Sequence, residues 1–291
     1  MGGRIRRFLR LLLKLLINLM IAGAVVLLVI SFKNPMLPRA YAYALLRDVA
    51  RNSLELKTWN WYSLEGEHFR VKYQPVDGEV ARLVLNTAEE IYYPVVDLMG
   101  YIPEEPVPIL IYPTRISLNR SFGWDGDVNA MGVYWAGAIR ILSPEVWIEE
   151  EENRELIFKE RGPLAHEFAH LLVDYRAGGN YPRWLTEGIA LYVERKVTGC
   201  EFEGPDMAGS VFYPVEEMDT GFDLLPDQNL AYRQSLLLVD YIVQGYGFSG
   251  VLDILDQLGQ GKEIGEALKA VTGQGWEEFK KGFYACHGRN M

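Results

Sequence analysis

The sequence predicts an α+β fold: a small mixed sheet backed by helices, following one N-terminal helix long enough to cross a membrane. Three observations predict it. The run from Leu15 to Phe32 is apolar throughout, with only Asn18 and Ser31 as polar interruptions. A strand pattern, a helix pattern and a second strand pattern then succeed one another between residues 67 and 112, which implies an α/β layer and not a helical bundle. From Gly162 onward the pattern is helical apart from one irregular insertion.

Composition sets the outer bounds. With 291 residues, 49% hydrophobic and 12% aromatic, the chain buries a core and is too apolar to be disordered. The formal charge of −10 hides an asymmetry, because Arg4, Arg6, Arg7, Arg10, Lys14 and Lys33 all lie between Met1 and Asn34 with no acid among them. Removing those six positive charges from −10 leaves −16 for the remainder. A surface that acidic repels phosphate backbones, so nucleic acid is not an expected partner.

In chain order, residues 1–14 form a basic segment and 15–32 the membrane-crossing candidate. A helix rises about 1.5 Å per residue, so this run, lengthened a turn by Leu11 to Leu13 with Lys14 snorkelling, reaches across a hydrocarbon core of about 30 Å. The arginines on its N-terminal flank predict that this end stays in the cytoplasm and that the bulk of the chain lies outside it, across a cell membrane. A cleaved signal peptide and a buried core helix are the other readings. The run is longer than a signal core of about 7–15 residues, which favours a retained anchor.

Residues 33–65, with a short helix and the aromatic stretch KTWNWYSL, read as a juxtamembrane connector to a domain at 66–291. EHFRVKY (67–73) alternates polar and apolar side chains as a half-buried strand does. Asp77 opens a helix whose Val80, Leu83, Val84, Ile91, Val95 and Leu98 recur with the helical period, ending at Gly100. VPILIY (107–112) is a second strand; SFGWDGDVNA is turn-rich; GVYWAGAIRIL is a hairpin about Ala136-Gly137. The four acids Glu149 to Glu152 read as a solvated face. Helices follow from Pro163 to about Arg176, from Pro182 to Gly199 and in three segments after residue 228, with a Gly-, Pro- and acid-rich insertion at 200–227. Cys200 and Cys286 form either a disulfide or two separate thiols.

Chemistry concentrates in LAHEFAHLLVDY (164–175). His166 and His170, four apart, share a helix face and supply two metal ligands. Glu167 projects about 100° away, where it reaches a metal-bound water as a general base. Asp174 is placed to hydrogen-bond the far nitrogen of a histidine ligand or to cap the site from behind the ligands. A catalytic zinc takes three protein ligands, and Glu187 in RWLTEGIALY, beyond the Gly178-Gly179 turn, is the third candidate. The bland alternative is a core helix with two satisfied histidines.

HEFAH followed by WLTEG resembles the gluzincin branch of zinc metallopeptidases. The wider arrangement over about residues 66–285 resembles the bacterial peptidase MA-like proteins. The resemblance implies a zincin-like metallopeptidase domain holding one Zn2+ through His166, His170 and Glu187, with Glu167 as base and later acid. It also implies a peptide or protein substrate. The interval between His170 and Glu187 is shorter than thermolysin-like enzymes lead one to expect. In such enzymes a strand before the zinc helix pairs with the extended substrate, and Ala138, Ile139, Arg140, Ile141 and Leu142 match that place. Tyr232 matches the position of an oxyanion donor, or else packs its ring and satisfies its hydroxyl elsewhere. A second function class stays open: a non-catalytic envelope or binding protein with a structural zinc site. Self-cleavage within 34–66 is a further possibility.

Overall fold

The computed structural model describes residues 2–33, 36–124, 128–205 and 212–287. Residues 125–127 of the turn-rich stretch and 206–211 of the insertion therefore fall outside it. The fold is α+β, a five-stranded mixed sheet with helices on both faces.

Helix α1 (Gly2–Lys33) carries the apolar stretch Leu11–Val29, exposed along its whole length and apolar enough for a membrane span or a signal sequence. Helix α2 (Met36–Lys57) follows. The stretch read as a connector is tied to what comes after it. Leu54 of α2 is buried under the sheet, and Tyr62–Glu65 forms the edge strand β1, antiparallel to β2 (Phe69–Tyr73).

Helix α3 (Gly78–Met99) carries the chain from β2 to β3 (Val107–Tyr112), so these two strands run parallel, with Phe69 opposite Val107. Of the residues the period predicts to face inward, Val80, Val84, Ile91 and Val95 are buried and Leu83 and Leu98 half-buried; Gly100, at φ 60°, ends the helix in the left-handed conformation, where glycine has no Cβ penalty. A short helix that the turn-rich reading missed, α4 (Arg115–Phe122), follows β3. Thr114 and Ser117 cap it reciprocally through a Thr114 hydroxyl accepting from the Ser117 amide at 3.1 Å.

Strands β4 (Gly132–Trp135) and β5 (Ala138–Leu142) form the expected hairpin, with Ala136 and Gly137 both at positive φ, 47° and 85°. Strand β5 then pairs parallel with β3, giving the order β1-β2-β3-β5-β4. This corrects the expectation for the substrate strand. Ala138, Ile139, Arg140, Ile141 and Leu142 are all buried and hydrogen-bonded to a strand on each side, so they have no free main-chain edge; β4 has one.

Alternation places Ile109, Ile111, Ile139 and Ile141 in the main core with α3 and the later helices. Leu110, Tyr112, Ala138 and Leu142 meet Leu54 and Leu118 on the opposite face. Burial on both faces explains why VPILIY is apolar throughout.

Helix α5 (Arg154–Arg161) follows the exposed acids Glu149 to Glu152 and leads into α6 (Leu164–Ala177) and α7 (Arg183–Thr198). The insertion contributes α8 (Glu217–Thr220). Helix α9 (Gln228–Gly259) is broken at Gly247, φ 68° and ψ 172°, where the sequence places a boundary between two helices. It too is long and apolar enough to cross a membrane, yet Leu236, Val239, Ile242, Val251 and Ile254 sit in the main core. Helices α10 (Ile264–Thr272) and α11 (Trp276–Cys286) close the fold. Cys200 and Cys286 are free thiols.

Candidate metal centre

Helix α6 starts from Gly162-Pro163, where the Glu167 amide donates to the Pro163 carbonyl at 2.9 Å, and stops at Gly178, φ 59°. Gly179 is also left-handed at φ 75°, and Pro182 fixes the entry to α7. Residues 178–182 therefore reverse the chain and lay α7 against α6. Helix α7 lies equally close to α9, because Gly188 has no side chain: a Cβ there would stand 2.2 Å from the Ser235 carbonyl oxygen.

Three donor atoms converge between the helices. His166 Nε2 and His170 Nε2 are 3.1 Å apart, and Glu187 Oε2 lies 3.4 Å from each. This His–His–Glu trio brings its ligand atoms within 4.8 Å of one another and can hold a metal ion. Each far ring nitrogen is engaged from α7: His166 Nδ1 meets Glu194 Oε2 at 3.1 Å and His170 Nδ1 meets Thr186 Oγ1 at 2.6 Å. Such contacts orient an imidazole so that its other nitrogen faces the centre.

The donor set suits a cation on two counts. Glu187 Oε2 is buried and has no hydrogen-bond donor among the described residues, an expensive state for a carboxylate oxygen that a metal ion relieves. The local potential is also negative. Burial alone would push the His166 pKa down, but the carboxylates of Glu187 and Glu194 beside its ring hold it well above the usual histidine value. Burial likewise opposes ionisation of Glu187, and the charges of His170 and Arg183 overcome it, so its carboxyl sits well below the usual range. Arg183 Nη2 meets the second oxygen, Oε1, at 3.0 Å and leaves Oε2 for the centre.

Glu167 is buried, and that burial raises its pKa against the opposing pull of His166 and His170. Its Oε2 accepts the backbone N–H of Tyr134 in β4 at 2.6 Å. Gly132 permits this approach, since a Cβ there would meet Pro163 Cβ at 2.7 Å and Glu167 Cγ at 2.9 Å. Among the described residues, the outer edge of β4, which no strand covers, thus lies beside Glu167.

Asp174 stands apart from the histidines, a correction to its expected role. Its carboxylate accepts from the Tyr134 hydroxyl at 2.6 Å, the Tyr181 hydroxyl at 3.4 Å and Arg47 Nη1 at 3.1 Å, while Glu194 and Thr186 take the histidine nitrogens. Tyr232 packs on Phe222 and Phe202 and feels the charges of Glu187, Arg183 and Glu167, with burial raising its pKa. His68 stacks on Tyr92 and pairs with Glu89 at 2.7 Å, and His287 bonds the Phe283 carbonyl at 2.8 Å.

Glu194 had a signal in the sequence: it lies seven residues after Glu187, two turns along the same helix face. Thr186 directly precedes Glu187, and its role depends on the rotation of α7 against α6. Nothing local announces Tyr134 or Arg47.

The sequence profile of the Peptidase MA superfamily matches residues 87–285, more than half of the chain. No curated protein matches it.

Proposed function

The chain belongs to the peptidase MA superfamily, and from that premise we propose that it is a gluzincin-type, zinc-dependent peptidase, anchored in a membrane and cleaving peptide bonds outside the cytoplasm. The observation that carries the reading is the convergence of His166 Nε2, His170 Nε2 and Glu187 Oε2 on one point, with Glu167 one residue from the first ligand.

In this reading His166, His170 and Glu187 hold one Zn2+, the ion that favours a tetrahedral set of two imidazoles, a carboxylate and an open position. When bound, zinc supplies Lewis acidity, acidifying a water to a pKa near 7 and polarising the scissile carbonyl. Glu167 would serve as the base toward the attacking water and would then return the proton to the leaving amine. The Tyr134 N–H fixes Oε2 of Glu167, so Oε1 is the oxygen that moves the proton. Tyr232, packed on Phe222 and under the charges of Glu187 and Arg183, is the hydroxyl that donates to the developing oxyanion.

The extended substrate pairs with the outer edge of β4, Gly132–Trp135, through the main-chain groups that remain beside the Tyr134 N–H bound to Glu167. Helix α1 is the retained anchor, with residues 1–14 cytoplasmic, 15–32 crossing the bilayer and the domain from residue 66 outside. Helix α2 and the aromatic stretch join the two.

The test is metal analysis of the purified full-length protein together with a screen of peptide cleavage, run on wild type and Glu167→Gln. The expected result is one zinc per chain in both proteins, with cleavage reduced about 100- to 10,000-fold in the variant. Equal cleavage by the two proteins would overturn the catalytic role. Metal bound without any cleavage by wild type would point to a structural site.

A further inference from the structure

Helix α2, directly after the apolar N-terminal helix, is joined to the base by an unbroken series of contacts. Arg47 reaches from α2 to the buried Asp174 of α6, with Nη1 at 3.1 Å from Oδ2, and its guanidinium lies 4.5 Å over the Tyr175 ring. The same Oδ2 accepts the Tyr134 hydroxyl at 2.6 Å. That hydroxyl in turn accepts the Gly137 amide at 3.1 Å, tying the turn of the hairpin to the same point. The Tyr134 amide donates to Glu167 Oε2. Tyr134 is therefore a strut. Its side chain is fixed by Asp174 and Arg47, and its main chain is fixed to Glu167.

Two close approaches seat α2 where Arg47 can do this. A Cβ at Gly179 would stand 2.5 Å from the Tyr43 ring, and one at Gly137 would stand 3.2 Å from Arg51 Cδ. Both glycines are left-handed, so neither position admits another side chain without strain. Helix α2 thus rests on the C-terminus of α6 and on the β4–β5 turn at once.

Asp174 lies on α6 two turns beyond Glu167, on the same face, so a side chain spanning the two sets the height of β4 against the helix. Without Arg47, a buried carboxylate loses its cationic partner and the strut loses its fixed end. Strand β4 is otherwise held on one side only, by β5. We propose that Arg47 is a positioning residue for the reaction: through Asp174 and Tyr134 it holds the edge strand β4 and, with it, the carboxylate of Glu167. The segment next to the anchor thereby governs how the base is presented. The kinetic consequence rests on the peptidase reading; the mechanical one does not.

The experiment uses full-length protein in detergent micelles, as wild type, Arg47→Ala, Arg47→Gln, Arg47→Lys and Tyr134→Phe. Five quantities are measured: melting temperature, bound metal, hydrogen exchange of the peptide containing the Tyr134 amide, and kcat and KM on a cleavable peptide. Arg47→Ala and Tyr134→Phe are expected to keep the metal and to speed exchange at Tyr134 about tenfold or more. Both should lower kcat about ten- to a hundredfold through misplacement of the base, with KM within about twofold of wild type. Arg47→Lys should recover part of both losses, since its ammonium keeps the charge but not the planar fork. Wild-type exchange at Tyr134 in a folded Arg47→Ala protein overturns the proposal, whatever kcat does. If Arg47→Ala does not fold, Arg47→Gln, which keeps most of the side chain and removes the charge, decides by the same readout. If wild type cleaves no peptide while exchange responds as described, the peptidase reading falls and the positioning of β4 by Arg47 stands.

Discussion

Glu194 has the clearest consequence of any single side chain outside the ligand trio. It takes His166 Nδ1 at 3.1 Å, and in Glu194→Ala that imidazole loses the partner that orients it. Metal affinity is expected to fall about 10- to 100-fold with the fold intact, measured by competition against a chromophoric chelator. Affinity equal to wild type would remove Glu194 from the site. At this scale the sequence was legible wherever spacing alone decides geometry. His166 and His170 share a face by helical period, and Glu187 follows from one short turn. Asp174 shows the limit: one turn past His170 it looked like a partner for an imidazole, yet Arg47 and Tyr134, 127 and 40 residues away in sequence, claim it. No local pattern carries contacts of that separation.

Among the elements, the packing of α7 on α9 is the one that a single atom can undo. A methyl group at Gly188 would stand 2.2 Å from a backbone oxygen and 2.6 Å from Val239 Cγ2, so one helix must shift. Gly188→Ala is expected to destabilise the fold by about 1–3 kcal/mol, read as a lower melting temperature, with bound metal per folded molecule reduced because Glu187 moves with its helix. A melting temperature equal to wild type would mean that the helices have room to separate. The alternating strands and the periodic helices were legible in sequence, since their repeats follow from burial of one face. Strand order was not. AIRIL and GVYW are both short and apolar, and only the parallel pairing of β5 with β3 sends β4 to the edge. Arg140 reinforced the wrong choice. It is a charged residue in the strand and yet is buried, donating to the Ser121 carbonyl at 2.7 Å and lying 4.2 Å over the Phe122 ring.

Taken whole, the molecule joins an exposed apolar helix to a domain whose remaining long apolar helix lies in the core. If α1 is a retained anchor, the full-length protein should stay with membranes after an alkaline carbonate wash, and protease added from outside the cell should digest the domain. Release into the wash would overturn the anchor. Mass analysis of the membrane-bound chain separates retention from cleavage in the same preparation, since a cleaved leader would remove the basic segment that begins the chain.

The tight reversal at residues 178–182 has a meaning in polymer terms. It joins donors that are near neighbours along the chain, His170 and Glu187, whereas the parallel strand pairing Ile109 with Ile139 closes a longer stretch. Loop-closure entropy grows slowly, by about 0.6 kcal/mol per doubling of length, so a slightly longer or shorter link would change little. What gathers the three donors is the interlocking of two helices that follow one another in sequence. A metal ion arriving at the trio would therefore meet a short-range contact made by two consecutive helices.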